Sequence, residues 1–396
     1  DHRDLHKEYR RQRQMCIRDR LTSSRPRLYR CSTKQQLPKR EKLSILKRKK
    51  ERNTFSGGTG LPGRVLLFRF GHFCQLWHVG GIRKSGMPPF PEVPGFTPSG
   101  YVRPGKKVAH EMTLEEIQEL INVYAGDAKI CEELGFDGVE IHAAHEYLLG
   151  QFLSPLNNLR TDEYGGSLNN RMRLLNEVVV LARKTVGDEM VVGIRINGSD
   201  LTNASLDNDD YVEVAQNIEA LASVDYLSIS AGTSRDNHMI VPPMDTPEGL
   251  YVDYAANIRA AVTLPVMAVG RLKNPELAEE VIANGKADVV AQARALIADP
   301  FWVKKLEGQK PKQIRPCIGC NQGCFGYLYT NRPITCAVNP AVGHEKSIGY
   351  GTTTKSTVYI PCADISTVVA KTCFNVSDGF RVEVILSITC VPPFTA

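Results

Sequence analysis

The sequence predicts an α/β protein: a (β/α)8 TIM barrel, incomplete because its first two strands have no counterpart, followed by a small cysteine-bearing segment. Three observations carry this expectation. Between Phe73 and Pro300, short β-rich apolar runs alternate with amphipathic helical patterns, as buried parallel strands alternate with crossover helices. Polar residues recur where those runs end, as they do at the mouth of a barrel. No glycine-rich phosphate turn follows the first run, where a doubly wound dinucleotide sheet would carry one.

In chain order the apolar runs are 73–79, 138–143, 191–197, 226–231, 265–270 and 287–292. Each has the length and β-rich composition of a buried strand. A helix is expected after Thr113, because Thr113-Leu114-Glu115-Glu116 is a capping box. Leu114, Ile117, Leu120, Ile121, Tyr124 and Ala128 then share one face of it. Further helices are expected over 169–186, 209–221, 252–261 and 275–284. The strand ends carry Gln75 and His78, His142 and His145, Arg195, Arg271 and Arg294. Six runs leave an eight-stranded barrel two short, and the stretch 56–69 before Phe73 offers one poor candidate. Closure demands a consistent strand number and stagger, so strand edges and the core beneath them are expected to be uncovered.

Composition narrows the class. The apolar share of 42% is ordinary for a soluble protein. No uninterrupted apolar run is long enough to span a bilayer, and the charged opening, 1–20, lacks the apolar centre of a signal peptide. A cytoplasmic location is therefore expected. Eleven cysteines without a secretion signal point to metal or redox use rather than disulfides. Charge is unevenly spread: residues 1–53 hold 19 Lys+Arg against 6 Asp+Glu, net +13 in a chain of net +6, which leaves −7 on the remainder. A basic arm can contact nucleic acid or a membrane. This one has no interleaved aromatic pattern for base stacking, so neither partner is expected.

Both ends read as foreign. Gln14-Met15-Cys16-Ile17-Arg18-Asp19-Arg20 matches one reading frame of a transposon-end sequencing adapter. Residues 1–66 are expected to be a foreign or disordered basic segment of that origin. From about Thr357 the chain turns β-prone, with Cys362, Cys373 and Cys390 at spacings that fit no metal site. Residues 357–396 are expected to be a frameshift-like tail. Between them lie a partial barrel over 67–310 and a cysteine segment over 311–356.

Three motifs carry chemistry. Cys317, Cys320, Cys324 and Cys336 follow a C-x2-C-x3-C-x11-C spacing. Four thiolates so placed suit a [4Fe–4S] cluster or zinc. Zinc ribbons pair two C-x2-C knuckles and only one is present, which favours iron–sulfur. Next, His142-Ala143-Ala144-His145-Glu146-Tyr147 directly follows a strand. Two imidazoles there can both donate to one oxygen, and a phenol nearby can deliver a proton. Metal binding by the pair is the rival, with Glu146 pointing elsewhere. Last, Gly270-Arg271 and Ala293-Arg294 end the final two runs. Those loops commonly bind phosphate in barrels, small residues letting backbone N–H groups approach and arginine adding fixed charge.

These residues resemble a known family. Gln75-Leu76-Trp77-His78, then Gly135-Phe136-Asp137-Gly138-Val139-Glu140-Ile141-His142, Gln151-Phe152-Leu153-Ser154-Pro155 and Arg160-Thr161-Asp162-Glu163-Tyr164-Gly165-Gly166-Ser167 are similar to the old yellow enzyme (NADH:flavin oxidoreductase) family. Cys317-Ile318-Gly319-Cys320-Asn321-Gln322-Gly323-Cys324 resembles the iron–sulfur branch that contains 2,4-dienoyl-CoA reductase and trimethylamine dehydrogenase. The likeness covers about Gln75 to Ser356. It implies an FMN-binding barrel and makes the cysteine site a [4Fe–4S] cluster. It implies that Gln75 meets the flavin pyrimidine and Arg195 the N1 region. Gly270, Arg271, Ala293 and Arg294 would hold the FMN phosphate. His142 and His145 would grip a substrate carbonyl, and Tyr147 would donate the proton. In the full-length enzyme, FAD- and NAD(P)H-binding domains are implied beyond Ser356.

The expected function is reduction of activated C=C bonds in enones or enoyl and dienoyl thioesters with NAD(P)H. The His142/His145 pair favours it, since the amine dehydrogenases of the branch place a tyrosine where His142 stands. An amine dehydrogenase or N-demethylase on the same scaffold is the first alternative. A zinc-binding nucleic-acid module is the second. The partners expected are small-molecule substrates, with a homo-oligomer compatible with the sequence.

Overall fold

A computed structural model describes residues 71–82, 95–100, 109–327, 330 and 332–348, and the backbone of 374–375 and 381–382. The expected foreign segment 1–66 and the rest of the tail 357–396 lie outside the described residues. So does Gly58-Thr59-Gly60-Leu61-Pro62-Gly63, which has the glycine spacing of a dinucleotide turn but stands before the first described strand, not after it.

The strands are β1 (Phe73–Leu76), β2 (Phe96–Thr97), β3 (His110–Glu111), β4 (Gly138–His142), β5 (Val191–Asn197), β6 (Tyr226–Ser230), β7 (Val266–Ala268), β8 (Val289–Val290), β9 (Phe374–Asn375) and β10 (Arg381–Val382). The main sheet runs β1-β4-β5-β6-β7-β8-β10-β9. All pairs from β1 to β8 are parallel. Among the described residues no pairing joins β1 back to the far end of the sheet. Beyond β8, Val382 pairs parallel with Val290, and β9 pairs antiparallel with β10. The six expected runs thus form six consecutive parallel strands, each shorter than or equal to its run.

Alternation along these strands sorts side chains to two faces. Val139, Ile141, Val192, Ile194, Ile196, Leu227, Ile229, Val266, Ala268 and Val290 face the helices, within one large core. Phe73, Val191, Tyr226, Met267 and Val289 lie on the opposite face and form a second, smaller core toward the N-terminal ends of the strands. Each fully buried large aliphatic here contributes ~1.5–3 kcal/mol. Inward glycines make room for inward rings. A Cβ on Gly138 would overlap the Phe73 ring, and one on Gly193 would overlap Tyr226.

The helices form where caps and periodicity specify them. Thr113 makes the expected capping box for Leu114–Glu133, with Glu116 answering the N-cap backbone. Ser167 accepts from Asn170 N–H to open Leu168–Val186, and Gly187 at positive φ closes it. Asp207 caps Asn208–Ala220, and Asn274 caps Pro275–Ala283 with proline at the first helical position. Val252–Ala261 spans the expected residues. Short helices at Leu148–Leu153 and Trp302–Glu307 were not expected. Their runs are too short for periodicity to declare.

Candidate active site

The site is built at the C-terminal ends of the parallel strands, from residues that alternate inward. Gln75, Glu140 and Gly193 lie in one register across β1, β4 and β5. Gln75 and Glu140 are buried, Glu140 completely. Gln75 Nε2 donates to Glu140 Oε1. The Tyr226 ring crosses above Gly193 and its hydroxyl donates to Glu140 Oε2 at 3.1 Å. One step further along, His142 pairs with Arg195 and Arg195 with Ser228. Arg195 Nη1 donates to Ser228 Oγ at 3.1 Å. Burial holds the Arg195 guanidinium below its usual range, while Glu140 and Tyr226 oppose that effect.

At the mouth, the His142 and His145 rings meet edge to face with centroids 5.0 Å apart. Tyr147 packs against both, 4.9 Å from His142 and 6.3 Å from His145. The Trp77 ring backs Tyr147 at 4.6 Å. Ala144 N–H donates to His142 Nδ1 at 3.2 Å, so the neutral ring carries its proton on Nε2. His145 Nε2 lies 2.8 Å from Ser230 Oγ. Burial, then the neighbouring His142 and Arg195, hold the His145 pKa well below the usual histidine range. His145 is therefore a neutral hydrogen-bonding group at physiological pH, not a cation.

The turn carrying this pair is held in a costly conformation. His145 and Glu146 have φ of 60° and 62°, a left-handed pair that ordinary residues adopt only when the surroundings insist. Glu146 supplies the restraint, pointing away from the histidines as expected. Its carboxylate accepts from Asn157 Nδ2 and Arg235 Nε, both at 2.9 Å, and from Ser234 Oγ at 2.7 Å. The loop after β4 is thereby tied to the loop after β6.

The final two strand ends converge on a cavity lined by Arg271, Leu272, Lys273, Gln292, Ala293, Arg294, Ala295, Cys317 and Gly319. Gly270 has φ 114° and lies against the Tyr251 ring. Both arginines also brace the loop 242–246. Arg271 Nη1 donates to Pro243 O, Thr246 O and Thr246 Oγ1. Arg294 Nη1 donates to Pro242 O at 2.8 Å and to Asn321 Oδ1 at 2.6 Å. Asn321 sits in the cysteine loop with φ 58° and reaches Val241 O at 2.8 Å. The phosphate candidates and the cysteine loop thus share one strut, which sequence spacing gave no means of seeing.

Cys317, Cys320, Cys324 and Cys336 are unbridged and half-buried. Burial raises the Cys324 and Cys336 thiols, and both also feel Cys317 and Cys320. Gly319 N–H points at Cys317 Sγ at 3.4 Å, the kind of donor that stabilises a ligating sulfur. Among the described residues, no three His, Cys, Asp or Glu side chains gather closely enough to hold a metal, these four cysteines included. The mouth fits a ligand bearing both donors and acceptors. Trp77 Nε1, at the end of β1, and Gln292 Oε1, at the end of β8, are buried without hydrogen-bond partners among the described residues, and such orphans are uncommon unless something else meets them.

A family model described as NADH:flavin oxidoreductase / NADH oxidase matches residues 72–313. A cinnamate reductase of Clostridium sporogenes is 38% identical over 253 residues, covering 60% of this chain and 38% of that protein. The solved structure of 2-naphthoyl-CoA reductase in complex with 2-naphthoyl-CoA is 32% identical with a TM-score of 0.67, covering 70% of this chain and 44% of that one. Histamine dehydrogenase from Rhizobium sp. 4-9 is 30% identical with a TM-score of 0.62, covering 69% of this chain and 39% of that one. The chain spans about two fifths of the length of the curated relatives it matches. Among the described residues, no helix is long and apolar enough to cross a membrane.

Proposed function

The chain belongs to the NADH:flavin oxidoreductase / NADH oxidase family, and from that premise we propose that it is an FMN-dependent reductase of activated C=C bonds. The observation that carries this is the pairing of two imidazoles, His142 and His145, the latter held neutral by burial, beside the Tyr147 phenol. Charge develops on the carbonyl oxygen when a conjugated alkene is reduced. Two fixed N–H donors stabilise that charge without having to move. Tyr147 would protonate the α-carbon. FMN, when bound, supplies the two electrons. Gln75 would meet its pyrimidine edge, Arg195 its N1 side, and Gly270, Arg271, Ala293 and Arg294 its phosphate. Cys317, Cys320, Cys324 and Cys336 would hold a [4Fe–4S] cluster, which would relay single electrons to the FMN from a second flavin reduced by NAD(P)H. The reductases among the relatives support an enone or an enoyl thioester as substrate.

The likeness to histamine dehydrogenase supports amine oxidation as a second reading. The two differ in the direction of electron flow. With FMN bound, anaerobic addition of 2-cyclohexenone is expected to reoxidise reduced flavin, while a methylated amine leaves oxidised flavin unbleached. Bleaching by the amine with no reoxidation by the enone would reverse the assignment.

A further inference from the structure

Glu140 has no part in the chemistry just described, yet it is fully buried inside the barrel. A carboxylate persists there only when its oxygens are met by donors. Gln75 Nε2 meets one oxygen and the Tyr226 hydroxyl meets the other at 3.1 Å. Space is kept for this arrangement, because any side chain at Gly193 would displace the Tyr226 ring. Arg195 stands on the same inward face of β5, two residues beyond the glycine that pairs with Glu140. The two opposite charges interact there.

An ionised carboxylate accepts hydrogen bonds and cannot donate them. Gln75 must therefore turn its NH2 toward Glu140, which fixes how the amide faces a ligand. The same negative charge offsets Arg195, the cation closest to the expected flavin N1 side. We propose that Glu140 is a positioning residue that sets the flavin's reduction potential, by fixing the Gln75 amide and partly neutralising Arg195. This rests on the flavin reading above. A negative charge at this depth disfavours the reduced, anionic flavin and keeps its potential low. Low potential in turn favours electron delivery to an alkene.

The test is a spectroscopic redox titration of the full chain reconstituted with FMN, against a dye of known potential. In Glu140→Gln, the reduced flavin should be favoured over the oxidised form by about tenfold, a positive shift of about 30 mV for a two-electron couple. Glu140→Asp keeps the charge and should shift less than Glu140→Gln. Tyr226→Phe is the second variant should Glu140→Gln not fold. It removes one donor to the carboxylate, leaves more of its charge unscreened, and should move the potential negative. A potential unchanged in the folded variants overturns the role of Glu140 and leaves the flavin reading standing. Failure of the unsubstituted chain to take up FMN overturns the flavin reading and this role together.

Discussion

Burial decides what the histidines of the mouth can do. A protonated His145 would sit beside Arg195, and burial already disfavours its charge. His78, at the neighbouring strand end, is pushed down to about 4 by burial. In the unfolded chain both titrate near ~6.5. Below that value, and down to the folded pKa, the unfolded chain binds more protons, so acid favours unfolding. The contribution of these groups is whole above about pH 6.5 and is expected to be lost progressively toward about pH 4. Asp200, raised by burial, works in the opposite sense at the acid end. Thermal melts of the native chain and His78→Gln across this range separate the two. The native chain should lose melting temperature faster than the variant on acidification; parallel slopes would contradict the burial account. His142, His145 and Tyr147 were legible in the sequence because they lie in one contiguous run after a strand. Glu140 was legible in principle, since it alternates with Val139 and Ile141 and so must face away from the helices. Its apolar neighbours disguised it as part of a uniform strand.

At the scale of elements, strands and capped helices were readable because their signals are local. Thr113, Asp207 and Asn274 each announce a helix within a few residues. Long-range fits were not readable. The Arg160–Ser167 motif proves to be scaffolding: Arg160 Nη1 ties Pro98 O and Met112 O, each at 2.7 Å, and so fixes the small sheet of β2 and β3. Gly193 is similar, since its reason for being glycine lies on another strand. Gly193→Ala is expected to cost ~1–3 kcal/mol by overpacking against Tyr226. Urea denaturation measures this, and an unchanged midpoint would show that the ring relaxes freely. The cysteine loop was visible through its spacing, but its docking onto 241–246 through Asn321 and Arg294 was not. Cys320→Ala in the reconstituted protein should remove iron and acid-labile sulfide together; iron retained in full would refute the cluster assignment.

For the whole molecule, the match over residues 72–313 accounts for the six parallel strands from β1 to β8 of the main sheet and their mouth. The relatives are more than twice as long as the aligned part, so transfer of electrons from NAD(P)H is a property to be sought in the longer proteins. Under the proposed function, transfer from flavin to alkene is the step assigned to the described mouth. It is tested most directly by following flavin absorbance in the FMN-loaded chain, reduced by light and mixed anaerobically with 2-cyclohexenone. Reoxidation should saturate with enone in the native chain. In Tyr147→Phe it should slow by about 10²–10⁴, the usual worth of a positioned general acid, while photoreduction proceeds unchanged. Reoxidation at the native rate in Tyr147→Phe, or none at all in the native chain, would contradict alkene reduction at this site.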